Sequence, residues 1–259
     1  MLEAPTDLPP GALLDRAREG YAAERGAAEG FWWQADRAAF DLDEGVVRGW
    51  RDAIAGRVAV PTRPNEDAAR LRPGAAPGLH TEAGVHCGLV APGVTERPTR
   101  FTMGVIYSPP AEGSALTLLT LNASYHGEGG EKQTDYLFLS DGGDSYTVKD
   151  TAGAVDLTVP VTAPAQEPRL ALVTLDGARL AFAENLGPAQ LREGRQPDLG
   201  GAADLFFGVR SHRGGLRKTL GSAHLHEVFF WPRHTLLLPR GAEDAAQLAA
   251  LRRYFLWGF

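Results

Sequence analysis

Gly221-Ser-Ala-His-Leu-His-Glu-Val-Phe-Phe-Trp-Pro232 is followed by Thr235-Leu-Leu-Leu238, Pro239 and then the stretch Ala242 to Phe259. The first stretch is an apolar run stopped by proline, the pattern of a strand. Thr235 to Leu238 is a second, shorter apolar piece. In the last stretch Ala246, Leu248, Ala249, Leu251, Tyr254 and Phe255 recur at three- and four-residue steps, which predicts an amphipathic helix. This ending is expected to be framework: strand and helix close a β domain, with Leu248, Leu251 and Phe255 packed inward.

Working back from it, short strand-like runs follow one another. They are Phe101 to Tyr107, Ala115 to Leu121, Tyr136 to Leu139, Ser145 to Lys149, Val155 to Val159, Leu205 to Val209 and His224 to Phe230. Arg169 to Leu175 is joined to Arg179 to Ala183 through Asp176-Gly177, the strongest short hairpin signal in the chain. Turn chemistry between so many short runs predicts an all-β fold, an antiparallel sandwich. No helices alternate with the strands, which argues against a parallel α/β sheet. No fixed repeat argues for a propeller or solenoid.

Composition narrows the function classes. Of 259 residues 44% are hydrophobic, enough for a substantial core, and the net charge of −6 is opposite to that of a nucleic-acid binder. Lysine occurs only at 132, 149 and 218, so the basic residues are nearly all arginine. Cys87 is the single cysteine, which excludes an intrachain disulfide and reads as a small buried hydrophobe. The first ten residues are acidic and proline-broken, unlike a secretory signal, and no run is long enough to span a bilayer. Synthesis in a cytoplasm, with no membrane insertion, is the expectation.

Residues 1–29 are expected to form a helical arm ahead of a domain at 30–259. Leu13, Leu14, Ala17 and Tyr21 fall on one stripe. A helix this short is marginal alone, so the stripe docks either on its own domain or on another subunit or particle.

Two segments resemble a known family. Trp32-Trp-Gln-Ala-Asp36 and Gly45-Val-Val-Arg-Gly-Trp-Arg-Asp52, together with the Glu227-Val228 strand and terminal helix, are similar to the concanavalin A-like lectin/glucanase superfamily in its laminin-G-like branch. The resemblance implies a jelly roll of two antiparallel sheets, one face of which binds glycans, with Trp32, Trp33, Trp50 and Trp231 mostly in the core. The arm, the missing signal and the arginine bias also resemble phage-type spikes and fibres, including head spikes of gene transfer agents. That resemblance implies attachment to a particle through the arm, multivalent or oligomeric display, and action on a virion or virus-like surface.

Family glycosidases carry Glu-x-Asp-x-x-Glu, two carboxylates flanking one bond, and no such string occurs here. Glu227 alone on its strand reads as a structural acceptor. His224 and His226, or His80 and His86 with Cys87, have spacings a metal could use, against the plainer reading of packed histidines. Asp141 to Asp144 reads as a tight turn or a calcium loop. No catalytic residue, resident metal or cofactor is assigned.

Glycan contacts are expected from two clusters. One comprises Asn122, Tyr125, His126, Asp135, Tyr136 and Tyr146 in adjoining loops; the other comprises Arg210, His212 and Arg213. Arginine pairs suit the carboxylate or phosphate of an acidic polysaccharide. The leading expectation is non-catalytic recognition of a cell-surface or capsular polysaccharide. The alternatives are a glycoside hydrolase or lyase, and a purely structural fibre subunit.

Overall fold

The computed structural model describes residues 30–258 except 73–76, 127–131, 165–166 and 213–216; the side chains at 125–126, 132–133 and 257–258 also lie outside that description. The arm residues Leu13, Leu14, Ala17 and Tyr21, and Arg213, lie outside the described residues.

Among the described residues there are seventeen strands and one α-helix. In chain order the strands are β1 (Phe31–Gln34), β2 (Phe40–Asp43), β3 (Val46–Arg51), β4 (Val58–Pro61), β5 (Arg70–Arg72), β6 (Gly78–Thr81), β7 (Leu89–Glu96), β8 (Arg100–Ser108) and β9 (Leu116–His126). Then come β10 (Lys132–Asp141), β11 (Ser145–Asp150), β12 (Asp156–Pro160), β13 (Arg169–Asp176), β14 (Arg179–Glu184), β15 (Gln190–Glu193), β16 (Ala202–Phe207) and β17 (Ala223–Pro232). The helix, α1, is Ala242–Gly258. All pairings are antiparallel, and the chain is an all-β sandwich.

The first sheet runs β15-β14-β13-β8-β17, and β6 and β1 sit end to end along the far side of β17. The second runs β12-β11-β10-β9-β16-β7-β4. β3 pairs with β4 and joins the two at one edge. The main core lies between them, built from inward positions such as Val105, Leu121, Leu137, Val173, Leu205 and Phe207.

The outer face of the first sheet is buried as well. Trp32, Ile106, Leu170, Leu172, Phe229 and Trp231 meet Ala250, Leu251, Tyr254 and Phe255 of α1 in a second apolar cluster, with Leu248 at its edge. A strand covered on both faces reads as a continuous apolar run, and β13 is buried at every position. Strand β17 switches faces part-way: Leu225 and Val228, three apart, both enter the inner core, and a register shift between Leu225 and Glu227 makes this possible. The same bulge turns Glu227 outward under α1. There it accepts from Trp32 Nε1 at 2.7 Å and from the Tyr254 hydroxyl, so it is the structural acceptor the sequence suggested.

Thr235 to Leu238 is a buried turn, not a strand. Its N–H groups at Leu236 and Leu237 are taken by the hydroxyls of Thr102 and Thr174, at 3.0 and 3.2 Å, in place of a neighbouring strand. Asp244 in the first turn of α1 ties this link down, accepting from the Arg240 N–H at 3.0 Å and bonding His234 Nδ1 at 2.9 Å. Burial works against its charge, but the Arg240 N–H, His234 and Thr235 outweigh it and hold its carboxyl below the usual range.

Candidate functional site

The outer face of the second sheet stays open. Along β9, Leu121 and Ala123 enter the core while Thr120, Asn122 and Ser124 point the other way; along β16, Ala203 and Leu205 enter while Asp204 and Phe206 point out. Strand register then lines these positions up. Asp204 is opposite Asn122 and Asn122 is opposite Tyr136, forming one row across three strands. The flanking rows are Phe206, Thr120 and Phe138 on one side and Ala202, Ser124 and Thr134 on the other.

A cleft of about 600 Å³ lies over these rows, lined by Asn122, Tyr136, Asp204, Phe206, Arg210 and His212, with Ser124, Thr134, Thr151 and Ser211. Its floor is apolar: Phe206 clusters with Val90, Val209 and Leu220. Its rim is rich in hydroxyls, and Ser124 Oγ and Thr134 Oγ1 lie 3.4 Å apart.

Asp204 is the one carboxylate among the described lining residues. A bulge in β7 positions it. Thr95 pairs with Ala203 and Ala91 with Leu205, so Pro92, Gly93 and Val94 all stand opposite Asp204. Gly93 adopts φ +59°, a conformation open to glycine, and its N–H reaches Asp204 Oδ1 at 2.7 Å. That leaves Oδ2 without a protein partner among the described residues.

On the opposite wall the Arg210 guanidinium carbon lies over the Phe138 ring, 3.7 Å from its centroid, and Arg210 Nε donates to Thr117 Oγ1 at 3.3 Å. Its main-chain oxygen accepts from Asn122 Nδ2 at 3.4 Å. Burial lowers its pKa from the ordinary arginine value, with the neighbouring Tyr136 hydroxyl acting in the other direction. His212 meets Phe206 edge-on with ring centroids 5.1 Å apart, and its Nδ1 lies 3.1 Å from the Arg63 N–H. Behind this wall, His86 bonds Thr62 Oγ1 through Nδ1 and the Ser211 main-chain oxygen through Nε2.

The structure therefore gathers Asn122, Tyr136, Arg210 and His212 around one cleft, although the first two sit on strands and not in loops. Tyr125 and His126 belong to β9, and their side chains lie outside the description. Asp135 alternates away from Tyr136, opposite the core residue Ala123, so it is not in the cleft. Tyr146 is a correction. It is fully buried between the sheets, and its hydroxyl lies 3.0 Å from the Tyr107 hydroxyl and donates to Glu184 Oε1 at 2.9 Å. Burial pushes its phenol well above the ordinary tyrosine value, and a ligand cannot reach it.

Asp141 belongs to the same buried network, accepting from Tyr107 at 2.6 Å and Arg169 at 3.2 Å; these contacts occupy its Oδ2. His226 is bonded through both nitrogens, to Ser108 Oγ and the Pro77 oxygen, and Cys87 Sγ accepts from the Glu82 N–H at 3.4 Å. Sequence reading missed Asp204. The signal was present in Ala202-Ala-Asp-Leu-Phe-Phe207, a lone carboxylate at an outward position of an alternating strand.

No protein-family model matches the chain, and no curated protein matches it. Solved structures do match. A Trypanosoma rangeli sialidase mutant with trans-sialidase activity has a TM-score of 0.54 at 13% identity, over 94% of this chain and 38% of that one. The T. rangeli sialidase in covalent complex with a difluorosialic acid has a TM-score of 0.52 at 16% identity, over 92% and 38%. A GH54 α-L-arabinofuranosidase soaked with a cyclic sulfate inhibitor has a TM-score of 0.52 at 11% identity, over 80% and 51%.

The chain thus spans about two fifths of the sialidases and half of the arabinofuranosidase. At these identities the likeness carries the fold, a β-sandwich found in carbohydrate-active proteins. It also corrects two expectations, that the chain is not an enzyme and that it recognises polysaccharide without catalysis. The matched structures are of glycoside hydrolases, the class held above as an alternative. These matches concern no phage or gene-transfer particle.

Proposed function

We propose that the chain is a glycoside hydrolase whose active site is the cleft over β9, β10 and β16. The observation that carries this reading is the row Asp204–Asn122–Tyr136 across the open face, beneath a rim of hydroxyl side chains. Hydrolysis of a glycosidic bond needs a proton carrier at the departing oxygen and a second group, usually another carboxylate, across the sugar. Asp204 is the cleft's carboxylate and takes the proton-handling role. Tyr136 stands two strands away, about 10 Å between backbones from the usual strand spacing, which leaves room for a sugar ring between them. A tyrosine in place of the second carboxylate is a known departure from the usual pair. Asn122, between the two, is placed to bond a sugar hydroxyl. The fold shared with the sialidase and arabinofuranosidase structures supports the reading.

The test is release of reducing ends from a panel of polysaccharides and aryl glycosides. Release by the wild-type chain, reduced about 10²- to 10⁴-fold in Asp204→Asn, is the expected result. Absence of release from every member, or an Asp204→Asn rate equal to wild type, would overturn the proposal.

A further inference from the structure

The cleft has two chemically different walls. Asp204, Asn122, Ser124, Thr134 and Thr151 form one, a set of hydroxyl, amide and carboxylate groups suited to sugar hydroxyls. Arg210 and His212 form the other, and it presents donors. Neutral His212 keeps its Nδ1 for the Arg63 N–H, so its proton resides on Nε2 and that nitrogen donates.

Arg210 is a half-buried cation with no ion-pair partner among the described residues. The lining carboxylate, Asp204, is held by the Gly93 N–H and makes no ion pair with it. Among the described residues the more deeply buried Arg169 has Asp141, 3.2 Å away, and half-buried Arg57 is bonded to the Pro92 oxygen, whereas Arg210 faces an open cleft. An unneutralised cation out of bulk water is costly, so its retention in a cleft calls for a ligand charge. Its orientation is also set in advance. Phe138 supports the guanidinium from one side and Thr117 takes Nε, leaving the terminal nitrogens beside the Tyr136 hydroxyl.

From this arrangement we infer that the sugar taken by the cleft is acidic, and that its carboxylate pairs with Arg210 while His212 Nε2–H donates alongside. The planar fork of a guanidinium matches the two oxygens of a carboxylate, and an ammonium at the same place would not reproduce it. The inference names the substrate class of the hydrolase site proposed above and rests on that cleft being the ligand site.

The test is equilibrium binding to Asp204→Asn, in which turnover is suppressed. The probes are oligogalacturonate, sialyllactose, the carboxyl-reduced form of each, and a sulfated oligosaccharide. The expected result is binding of at least one carboxylated probe, with its reduced counterpart weaker by about tenfold or more. Arg210→Lys and Arg210→Gln, added to the same background and checked for an unchanged melting temperature, are expected to weaken that probe by about tenfold or more while leaving the reduced form unaffected. Binding of none of the carboxylated probes would overturn the inference. So would equal binding of native and reduced forms, preference for the sulfated probe, or indifference to Arg210→Gln in the folded variant. The two proposals fail separately: acidic glycans bound but never cleaved by the wild type would sink the hydrolase alone, and cleavage of neutral glycans only would sink the acidic-sugar inference alone.

Discussion

The outer faces of the two sheets start from the same strand geometry and end differently. On the first sheet, β13 is buried at every position, and outward from β1, β8 and β17 stand Trp32, Ile106, Phe229 and Trp231, the bonded Glu227, and Thr102, whose hydroxyl accepts from the Leu236 N–H. Helix α1 lies over them. On the second sheet, β11 alternates strictly between buried and half-buried positions, and the outward side chains of β9, β10 and β16 are mostly an amide, hydroxyls, a phenol and one carboxylate, with Phe138 under Arg210 and Phe206 against His212. No described element lies over those rows. A face whose outward positions are apolar must be covered, whereas a polar face can remain in water and meet a ligand. Stability is thereby concentrated on one face and chemistry on the other.

Substitutions can break this division, and the largest effects belong under the helix. Leu251→Ala removes a fully buried side chain from the α1 cluster and is expected to cost about 2–5 kcal/mol, read from chemical denaturation. Glu227→Leu strands the Trp32 indole N–H and the Tyr254 hydroxyl in an apolar layer and is expected to cost about 2–4 kcal/mol by the same measurement. Between the sheets, Tyr146→Phe deletes the hydroxyl linking Tyr107 to Glu184, for about 1–2 kcal/mol, and leaves the cleft's ligand affinity unchanged.

A smaller effect appears with pH. Burial, His226, His80 and Arg72 together bring His224 down to about 4, although a Gly78 backbone bond acts the other way. An unfolded imidazole titrates near 6.5. As pH falls from about 6.5 to about 4, the unfolded chain takes up a proton that the folded chain refuses, so stability declines through that window and levels off below it. Melting temperature against pH should show this slope, and His224→Gln should flatten it.

The covered face was legible because burial on both sides writes itself as unbroken apolar sequence. Arg169 to Leu175, His224 to Phe230 and the heptad-like spacing of Leu248, Leu251 and Phe255 each led to an element that is present. The strands between residues 31 and 96 were not individually legible. Most are three to six residues long and interrupted by Pro and Gly, too short to show a period. The cleft was half legible. Asn122, Tyr136, Arg210 and His212 stood out by residue type, but two were assigned to loops, because polar residues at outward strand positions look like turn composition. Tyr146 went wrong for a related reason: an aromatic with a hydroxyl suits a sugar or a buried network equally, and only the Tyr107 and Glu184 partners distinguish them. Asp204 carried a local signal in its alternating strand, but the device that positions it, the Gly93 bulge in β7, lies more than a hundred residues away.

The division between faces is tested most directly by measuring melting temperature and reducing-end release together for Asp204→Asn. Among the described residues Asp204 makes one protein hydrogen bond at the wet rim, so the account predicts a stability change within about 0.5 kcal/mol and a loss of turnover of at least about a hundredfold. A variant that melts several degrees lower, or one that turns over glycan at the wild-type rate, would contradict it.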